Sequence, residues 1–282
     1  MAKFRIMSNN IWDCKDNKPW WQERGLDCSA AARTPYLARV YAETLPDVIG
    51  LQESGKEMIA ELMASLGKLS LRYSLLWGSY TSMLINLDKF DIIDSEFRLF
   101  DEQIPGLEGK FNNGNTKSYN IAVLRTKSDG KLLVFATAHL WWMSSDIDSP
   151  EYYPNSDEAR AYQMSFLLDR VDYFKNKYSC PAIIVGDMNA TYSSQALKVA
   201  FDKGYVHAHD ISVEYKDETN GFHYCYPDGF NTLTSEGDFS VSIDHILIKD
   251  LPDGAVRRFE RYTPDYYMPI SDHFPMWIDI DI

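Results

Sequence analysis

Ile183-Ile184-Val185-Gly186-Asp187-Met188-Asn189 is a short apolar run that ends at a glycine and is followed by a carboxylate and a carboxamide two residues apart. Runs of β-branched residues of this length, bounded by a breaker, are typical of buried strands. Because successive side chains of a strand point to opposite faces, Asp187 and Asn189 are predicted to begin on the same side. If that side is the open end of a sheet, metal ions, water and substrate would meet there.

Other predicted strands also end in polar side chains. These residues are Asn10, Glu53, His139, Asp244, Asp272 and His273. Taken singly, each has a plain explanation as a turn residue, a cap or a salt-bridge partner. As a set they indicate a site, because ligands of sheet proteins bind beyond strand ends. Hard cations take carboxylate and water ligands, and phosphoryl transfer also needs a group that orients water and donors that stabilise negative charge.

The chain between these ends alternates between strand and helix patterns. Helices are predicted at 30–45, at 56–66 with Gly67 as the stop, at 156–177 with Ser156 as N-cap, and at 193–201. A strand, a helix and a strand that end in Asn10 and Glu53 are matched later by a set that ends in His139 and Asp187. Two similar halves packed sheet against sheet would bring these ends together. Since no linker divides them, one domain spanning residues 1–282 is expected.

Composition and charge narrow the classes of function. With 45% hydrophobic residues and no low-complexity tract, the chain is typical of a compact globular protein, and no apolar run approaches membrane-spanning length. The net charge of −13 repels polyanions, so extended nucleic acid is a less expected partner than a small phosphorylated molecule. The excess of carboxylates suits hard divalent cations.

The cysteines and one histidine cluster are the other candidates for metal ligands in the sequence. The four cysteines form no C-x-x-C pair, which argues against structural zinc. His207-Ala208-His209-Asp210 has ligand spacing, but an isolated His-x-His is usually surface or strand. The sequence enters its first strand without a signal-peptide pattern, so a cytoplasmic protein with reduced thiols is expected. Removal of a leader would leave export, and with it a Cys14–Cys28 disulfide, as the alternative.

Six motifs, in order, resemble those of the endonuclease/exonuclease/phosphatase superfamily, which has the fold of deoxyribonuclease I. They are Ser-Asn-Asn10-Ile, Leu-Gln-Glu53-Ser, Thr-Ala-His139-Leu, Val-Gly-Asp187-Met-Asn189-Ala, Ser-Ile-Asp244-His-Ile and Ile-Ser-Asp272-His273-Phe-Pro. The resemblance runs from about residue 4 to 280. It implies an α+β fold, a four-layer α/β/β/α sandwich in which two mixed β-sheets pack face to face with helices outside. It also implies phosphoester hydrolysis with Mg²⁺ or Mn²⁺.

The resemblance also assigns the metal and the attacking water. It implies that Glu53 is the principal metal ligand and that Asn10 and Asp272 help to hold the metal and its waters. Asp187 would orient and deprotonate the attacking water, and Asn189 would position that water or a phosphate oxygen.

The same resemblance places two histidines at the phosphate. His273, oriented by Asp244, would contact the scissile phosphate, and His139 would assist at the phosphate or the leaving group. The sequence departs from the family at two positions. Trp12 replaces an acidic residue of some DNA-repair members, which puts a second metal in doubt, and His245 replaces a common aromatic residue and is expected to face the other side of its strand.

The substrate should be selected by the loops, which are rich in aromatic pairs: Trp20-Trp21, Trp141-Trp142, Tyr152-Tyr153 and Tyr266-Tyr267. Such rings could stack on a base or sugar, touch a lipid, or cap the core. Trp142 is the predicted substrate contact, because it follows His139 closely. We expect a monomeric phosphohydrolase that acts on a small or terminal phosphoester. A DNA or RNA nuclease is the first alternative, and a non-catalytic binding module, which would be expected to have lost site residues, is the second.

Overall fold

Two β-sheets form the centre of the protein in a computed structural model that describes residues 3–13, 25–217, 242–267 and 270–282. The strands of the described residues are β1 (Lys3–Asn10), β2 (Val48–Gln52), β3 (Ser74–Leu76), β4 (Met83–Ile85), β5 (Phe90–Leu99), β6 (Ser118–Thr126), β7 (Leu132–His139), β8 (Ala182–Asp187), β9 (Val206–His207), β10 (Glu214–Asp217), β11 (Asp244–Lys249), β12 (Val256–Arg261) and β13 (Met276–Asp281). One sheet has the order β10-β12-β13-β1-β2-β4-β3, and the other has the order β5-β6-β7-β8-β11-β9. Both sheets are mixed, since β1 and β2 run parallel in the first and β7 and β8 run parallel in the second.

Four helices of the described residues cover the outer faces of the two sheets, and one single-turn helix contributes Ala208 to the core between the sheets. The four are α1 (Ala30–Thr44), α2 (Lys56–Lys68), α3 (Ser156–Tyr178) and α4 (Gln195–Asp202), and the single turn is α5 (Ala208–Ile211). No helix in this part of the chain combines the length and apolarity needed to cross a bilayer.

Alternation along the strands divides the apolar residues between three cores. On β8, Ile183 and Val185 face the other sheet, whereas Ile184 faces α3. On β1, Ile6 faces the other sheet, and Met7 packs under α1 and α2. The layers are therefore helix, sheet, sheet and helix, which confirms the predicted fold class.

Two glycines are required by the close approach of backbone and side chains near one end of the sheets. A Cβ on Gly50 would lie 2.4 Å from Val185 Cγ2 in the opposite sheet. Gly186 has φ 153°, and a Cβ there would lie 2.1 Å from the carbonyl oxygen of Ala138. Side chains at these positions would push the strands apart where the polar strand ends meet.

Several element boundaries differ from those predicted. Gly67 lies inside α2, which continues to Lys68 because the buried Leu62 and Leu66 hold the helix against its sheet. Ser156 begins α3 but is not its cap; Asn155 occupies the cap position, and the Ser156 hydroxyl accepts a hydrogen bond from the Trp141 indole at 3.0 Å. Strand β12 was not predicted from the sequence. Cys14 lies outside the described residues.

Candidate active site

The topology brings the polar strand ends to one edge of the sandwich. β1, β2, β7 and β8 all end there, since each parallel pair has the same direction in its sheet. β11 runs antiparallel to β8, and its first residue, Asp244, pairs with Asp187. β13 runs antiparallel to β1, so the segment before it, with Asp272 and His273, also reaches this edge. The strand-end residues expected from sequence are therefore brought together.

Most of these side chains point into the gap between the sheets. On β11, Ile246 and Ile248 face the opposite sheet, and alternation places Asp244 on the same side. On β8, Asp187 follows Ile183 and Val185 in the same way. Asn10, His139, Asp187 and Asp244 are each at most 3% exposed. The cluster thus continues, with polar side chains, the apolar core that lies between the two sheets.

Asp187 lies at the centre of this cluster. Its Oδ2 atom accepts a hydrogen bond from Asn10 Nδ2 at 3.0 Å and lies 3.4 Å from His139 Nε2 and 3.7 Å from His273 Nε2. The Asn10 amide also donates to Glu53 Oε1 at 3.1 Å. One carboxylate oxygen therefore lies within reach of two imidazoles and of the amide that bridges it to Glu53.

Asp187 and Asn189 meet through a turn and not through strand alternation. β8 ends at Asp187, and Asn189 has a left-handed backbone with φ 48°. The Asn189 backbone N–H donates to Asp187 Oδ1 at 2.9 Å, and its side-chain amide donates to the Leu140 carbonyl at 3.1 Å. The predicted strand from 183 to 189 was two residues too long, because this Asx-type turn ends it.

His273 is held by two carboxylates. Its Nδ1 atom lies 2.7 Å from Asp244 Oδ2, which fixes the ring and its tautomer. Burial alone would lower the pKa of His273, but the charges of Asp244 and Asp187 outweigh burial and raise that pKa well above the ordinary value. His273 is therefore a cation that faces the gap between the sheets.

His139 is paired with a lysine that sequence reasoning missed. Lys117 Nζ lies 2.6 Å from His139 Nε2, and both side chains are buried. Burial lowers the pKa of Lys117 to about 8, although the charges of Glu53 and Asp187 oppose that effect. Burial and the Lys117 charge lower the pKa of His139 well below its usual value. The only sequence signal was position, since Lys117 precedes β6, whose first residue pairs with His139.

The donor set fits a divalent cation. Glu53, His139 and Asp187 each offer a ligand atom within 4.8 Å of the others, and Asp187, Asp244 and His273 form a second such group. Asp272 belongs to neither group, but its Oδ1 is buried and has no hydrogen-bond partner. Burial and neighbouring carboxylates raise the pKa of Asp272 to about 7. Crowded carboxylates with an unused oxygen are what a hard cation would stabilise.

An arginine outside the cluster fastens the segments that carry it. Arg33 on α1 is buried, and its guanidinium donates to the carbonyls of Ile11, Trp12 and Ile270 at 2.7 to 3.0 Å. Ile11 and Trp12 follow β1, and Ile270 precedes the Ser-Asp-His motif. Arg33 therefore ties the exit of one site strand to the entry of another. Sequence reasoning did not single it out, because an arginine on a helix is usually exposed.

The aromatic pairs divide between core and surface. Trp141 is buried, its indole is bonded to Ser156, and its backbone N–H donates to Gln163 Oε1 at 2.8 Å. Trp142, the predicted substrate contact, is 39% exposed on the same loop. Arg160 holds this loop through the Met143 carbonyl at 2.7 Å.

The other pairs divide in a similar way. Tyr153 packs against Phe111 while Tyr152 is 40% exposed, and Tyr267 is buried with its hydroxyl bonded to Asn9. The pair Trp20-Trp21 lies outside the described residues.

The comparisons with known proteins agree with this architecture. The family model described as Endonuclease/Exonuclease/phosphatase family matches residues 26–273. No curated protein sequence matches the chain. An endonuclease/exonuclease/phosphatase family protein of Bacteroides thetaiotaomicron is similar in structure, with a TM-score of 0.74, 18% identity and coverage of 100% of this chain and 96% of that one.

Two further solved structures are similar. One is a mannosyl-6-phosphatase of Bacteroides thetaiotaomicron, with a TM-score of 0.70, 19% identity and coverage of 99% of this chain and 100% of that one. The other is the human nocturnin catalytic domain with a bound sulfate anion, with a TM-score of 0.61, 14% identity and coverage of 99% and 93% of the two chains. At these identities the likeness shows a shared fold.

Proposed function

The chain belongs to the endonuclease/exonuclease/phosphatase family, a family of metal-dependent phosphoester hydrolases, and from this premise we propose that it hydrolyses a small or terminal phosphoester with Mg²⁺. The observation that carries the proposal is the convergence on Asp187 Oδ2 of the Asn10 amide and the imidazoles of His139 and His273. A base, a cation and a metal-binding carboxylate within one hydrogen-bonded cluster suit attack of water on a phosphorus atom. The proposed enzyme is one catalytic domain that acts as a monomer.

Glu53 and Asp272 would hold the metal ion. Asn10 would orient the Glu53 and Asp187 carboxylates through its two donated hydrogen bonds. When bound, Mg²⁺ supplies Lewis-acid stabilisation of the phosphate oxygens, and Mn²⁺ offers the same chemistry. The unpartnered Asp272 oxygen and the raised pKa values of Asp187 and Asp272 support this assignment.

Asp187 would act as the base that takes a proton from the attacking water. Its burial raises its pKa above that of an ordinary aspartate, which makes the carboxylate a better proton acceptor. The Asn189 side-chain amide, fixed on the Leu140 carbonyl, leaves its oxygen available to the water or to a phosphate oxygen. The left-handed turn sets the position of that amide relative to Asp187.

The charged donors would stabilise the negative charge that develops on phosphate. His273, kept protonated by Asp244, faces Asp187 and can donate from Nε2 to a phosphate oxygen. Lys117 would add a second positive charge beside His139, whose Nε2 atom lies 3.4 Å from Asp187 Oδ2. His139 would then assist at the phosphate or the leaving group as a neutral imidazole.

The size of the substrate is inferred from charge and from the loops. A net charge of −13 opposes long polyanions, and the exposed Trp142 offers one aromatic surface on the loop that follows His139. Two of the similar structures are a mannosyl-6-phosphatase and a nocturnin domain that binds sulfate, an anion of phosphate shape. These comparisons support a phosphomonoester or a terminal phosphodiester and do not select its leaving group.

A substrate panel tests the proposal. Sugar phosphates, nucleotides, inositol phosphates, phospholipids, RNA, and single-stranded and duplex DNA would be incubated with the wild type and with Asp187→Ala in Mg²⁺. We expect hydrolysis of at least one small phosphoester, lost in the variant. Faster cleavage inside long DNA or RNA would favour the nuclease alternative, and ligand binding without turnover of any substrate would favour the binding module.

A further inference from the structure

A chain of hydrogen bonds between buried histidines connects the edge strand β9 to the Asp187-Met188-Asn189 turn of the candidate active site. His245 Nε2 lies 2.7 Å from the carbonyl oxygen of Ala190, and His245 Nδ1 lies 3.1 Å from His207 Nε2. His207 Nδ1 in turn accepts the backbone N–H of His209 at 3.1 Å. His207 and His245 are both fully buried. The cluster joins His245 to the His207-Ala208-His209-Asp210 stretch, and the proposed catalytic mechanism assigns no role to either.

The partners fix the tautomer of each ring. A carbonyl oxygen only accepts, so His245 Nε2 carries the hydrogen that bonds to Ala190. In a neutral ring His245 Nδ1 is then an acceptor, and the hydrogen of the next bond belongs to His207 Nε2. His207 Nδ1 is left as the acceptor for a backbone N–H, as found. These three bonds are satisfied by one arrangement of two neutral imidazoles, and the Ser242 backbone also hydrogen-bonds to His245.

The cluster lies on the face of β11 opposite to Asp244. Ile246 and Ile248 face the central core, and Leu247 faces the outer one, so His245 shares the side of Leu247. His207 reaches it from β9, whose register pairs His207 with Leu247. This placement confirms the expectation for His245, and neither histidine belongs to a candidate metal group of the described residues.

Ala190 directly follows Asn189, whose left-handed backbone places the side chain beside Asp187. The turn is held on one side by Met188 N–H, which donates to the Ile243 carbonyl at 2.9 Å. His245 holds the other side, at the carbonyl of Ala190. Ile243, just before β11, and His245, within it, therefore hold the two sides of Asn189, and the opposite face of β11 carries Asp244, which orients His273.

We infer that His245 is a positioning residue that fixes the Asp187-Met188-Asn189 turn through the Ala190 carbonyl, and that His207 fixes the tautomer of His245 for this task. The inference rests on the proposed function for its effect on catalysis. The geometry of the chain of histidines does not depend on that function. A ring that left Ala190 would release the amide that positions water, and the cost would fall on kcat more than on KM.

The kinetic test compares His245→Phe with His245→Gln. Phenylalanine keeps a ring of similar size but donates nothing, whereas the glutamine amide nitrogen can occupy the position of Nε2 and donate to Ala190. We expect His245→Phe to lower kcat roughly 10- to 100-fold with KM changed less than about twofold, and His245→Gln to recover most of the loss. Tyr192→Phe is the matched control, because it alters a ring next to His207 without removing a bond of the chain, and it should leave kcat unchanged.

Folding is measured separately from catalysis. All rates would be taken well below the Tm of each variant, with circular dichroism as the check on folding. His207→Phe combined with His245→Phe should cost no more in kcat than His245→Phe alone, because both act through one bond to Ala190. A kcat within twofold of wild type for a folded His245→Phe, or no recovery by His245→Gln, overturns the inference.

Nitrogen-15 NMR of the histidine rings keeps the inference distinct from the proposed function. At pH 7 the rings of His207 and His245 should each be neutral and protonated at Nε2. Protonation at Nδ1 in either ring would overturn the inference even in an active enzyme. If the wild type hydrolyses no phosphoester while the tautomers are as stated, the proposed function fails and the chain of histidines stands as a structural clamp on the turn.

Discussion

Lys117 Nζ lies 2.6 Å from His139 Nε2, so a buried ammonium group donates to a neutral imidazole inside a cluster dominated by carboxylates. Two effects on the pKa of Lys117 oppose each other, since burial lowers it and the charges of Glu53 and Asp187 raise it. A cation retained there against burial is available to an incoming phosphate. Of the two residues, His139 lies in a motif of the sequence and Lys117 does not.

Substitutions of Lys117 should show whether its charge, and not only its side-chain volume, contributes to catalysis. Lys117→Met removes the charge and should lower kcat/KM roughly 10²- to 10³-fold, as loss of one preorganised donor does. The wild type should also lose activity as pH rises through about 8, because deprotonation removes the cation. Lys117→Arg should move that loss to higher pH, since guanidinium stays charged. Identical alkaline limbs for wild type and Lys117→Arg in a kcat/KM profile would exclude this role.

Asp272→Asn should weaken metal binding without lowering the thermal stability of the metal-free protein. The substitution removes a buried charge whose Oδ1 has no hydrogen-bond partner, so without metal we expect a Tm equal to or above that of wild type. Adding Mg²⁺ or Mn²⁺ should raise the Tm of wild type and leave that of Asp272→Asn nearly unchanged, because binding to the native state stabilises it. Differential scanning fluorimetry with and without EDTA measures both effects. Equal metal-induced shifts in the two proteins would contradict the assigned ligand.

His245 should make the protein sensitive to mild acid. Burial lowers its pKa to about 4, hydrogen bonding to Ala190 opposes this, and the Arg261 charge favours it. His207, from β9, also faces this ring and has a lowered pKa. Because the unfolded state binds a proton near pH 6.5 and the folded state does not, the stabilising effect is complete above 6.5 and is lost as pH falls toward 4.

The size of that acid effect can be measured by urea unfolding. For His245 alone, the free energy of unfolding should fall by about 2 kcal/mol between pH 7 and pH 5. His245→Gln, which cannot titrate, should remove that part of the pH dependence. A difference between pH 7 and pH 5 that is the same in the two proteins would show that His245 is not buried as a neutral ring.

Trp142 and Trp141 should behave differently although they are neighbours. Trp142 is 39% exposed, so Trp142→Ala should leave the Tm within a few degrees of wild type while raising KM for the best substrate about three- to tenfold. Trp141 is buried and hydrogen-bonded to Ser156, so Trp141→Phe should lower the Tm. Steady-state kinetics and thermal unfolding of the two variants give the comparison. An unchanged KM in Trp142→Ala would remove it from the substrate site.

Much of the fold could be predicted because the strand ends are encoded locally. The apolar run that ends at Gly186 and Asp187 and the helical spacing of 30–45 each produced the expected element within a few residues. The parallel pairs β1 with β2 and β7 with β8 reproduce the expected repeat of strand, helix and strand. A helix or strand that buries one regular apolar face can be predicted from the local spacing of its apolar residues.

What sequence could not give depends on contacts between distant segments. Lys117 precedes an apolar strand and reads as an exposed lysine until the pairing of β6 with β7 places it on His139. Arg33 reads as a polar helix residue until its bonds to carbonyls of two site segments are seen. The alternation rule placed Asp187 and Asn189 on one side for the wrong reason, because the strand ends at Asp187 and a turn with a left-handed backbone at Asn189 brings the two together.

The most direct test of the central proposal is hydrolysis of an aryl phosphomonoester and an aryl phosphodiester by metal-stripped enzyme as Mg²⁺ is added back. The account predicts no turnover in EDTA, recovery of turnover with Mg²⁺ or Mn²⁺, and loss of that recovery in Glu53→Gln. Glutamine has the size of glutamate and can still form hydrogen bonds, but it lacks the negative charge that binds the metal ion. Turnover that persists in EDTA, or that Glu53→Gln retains at the wild-type rate, would contradict it.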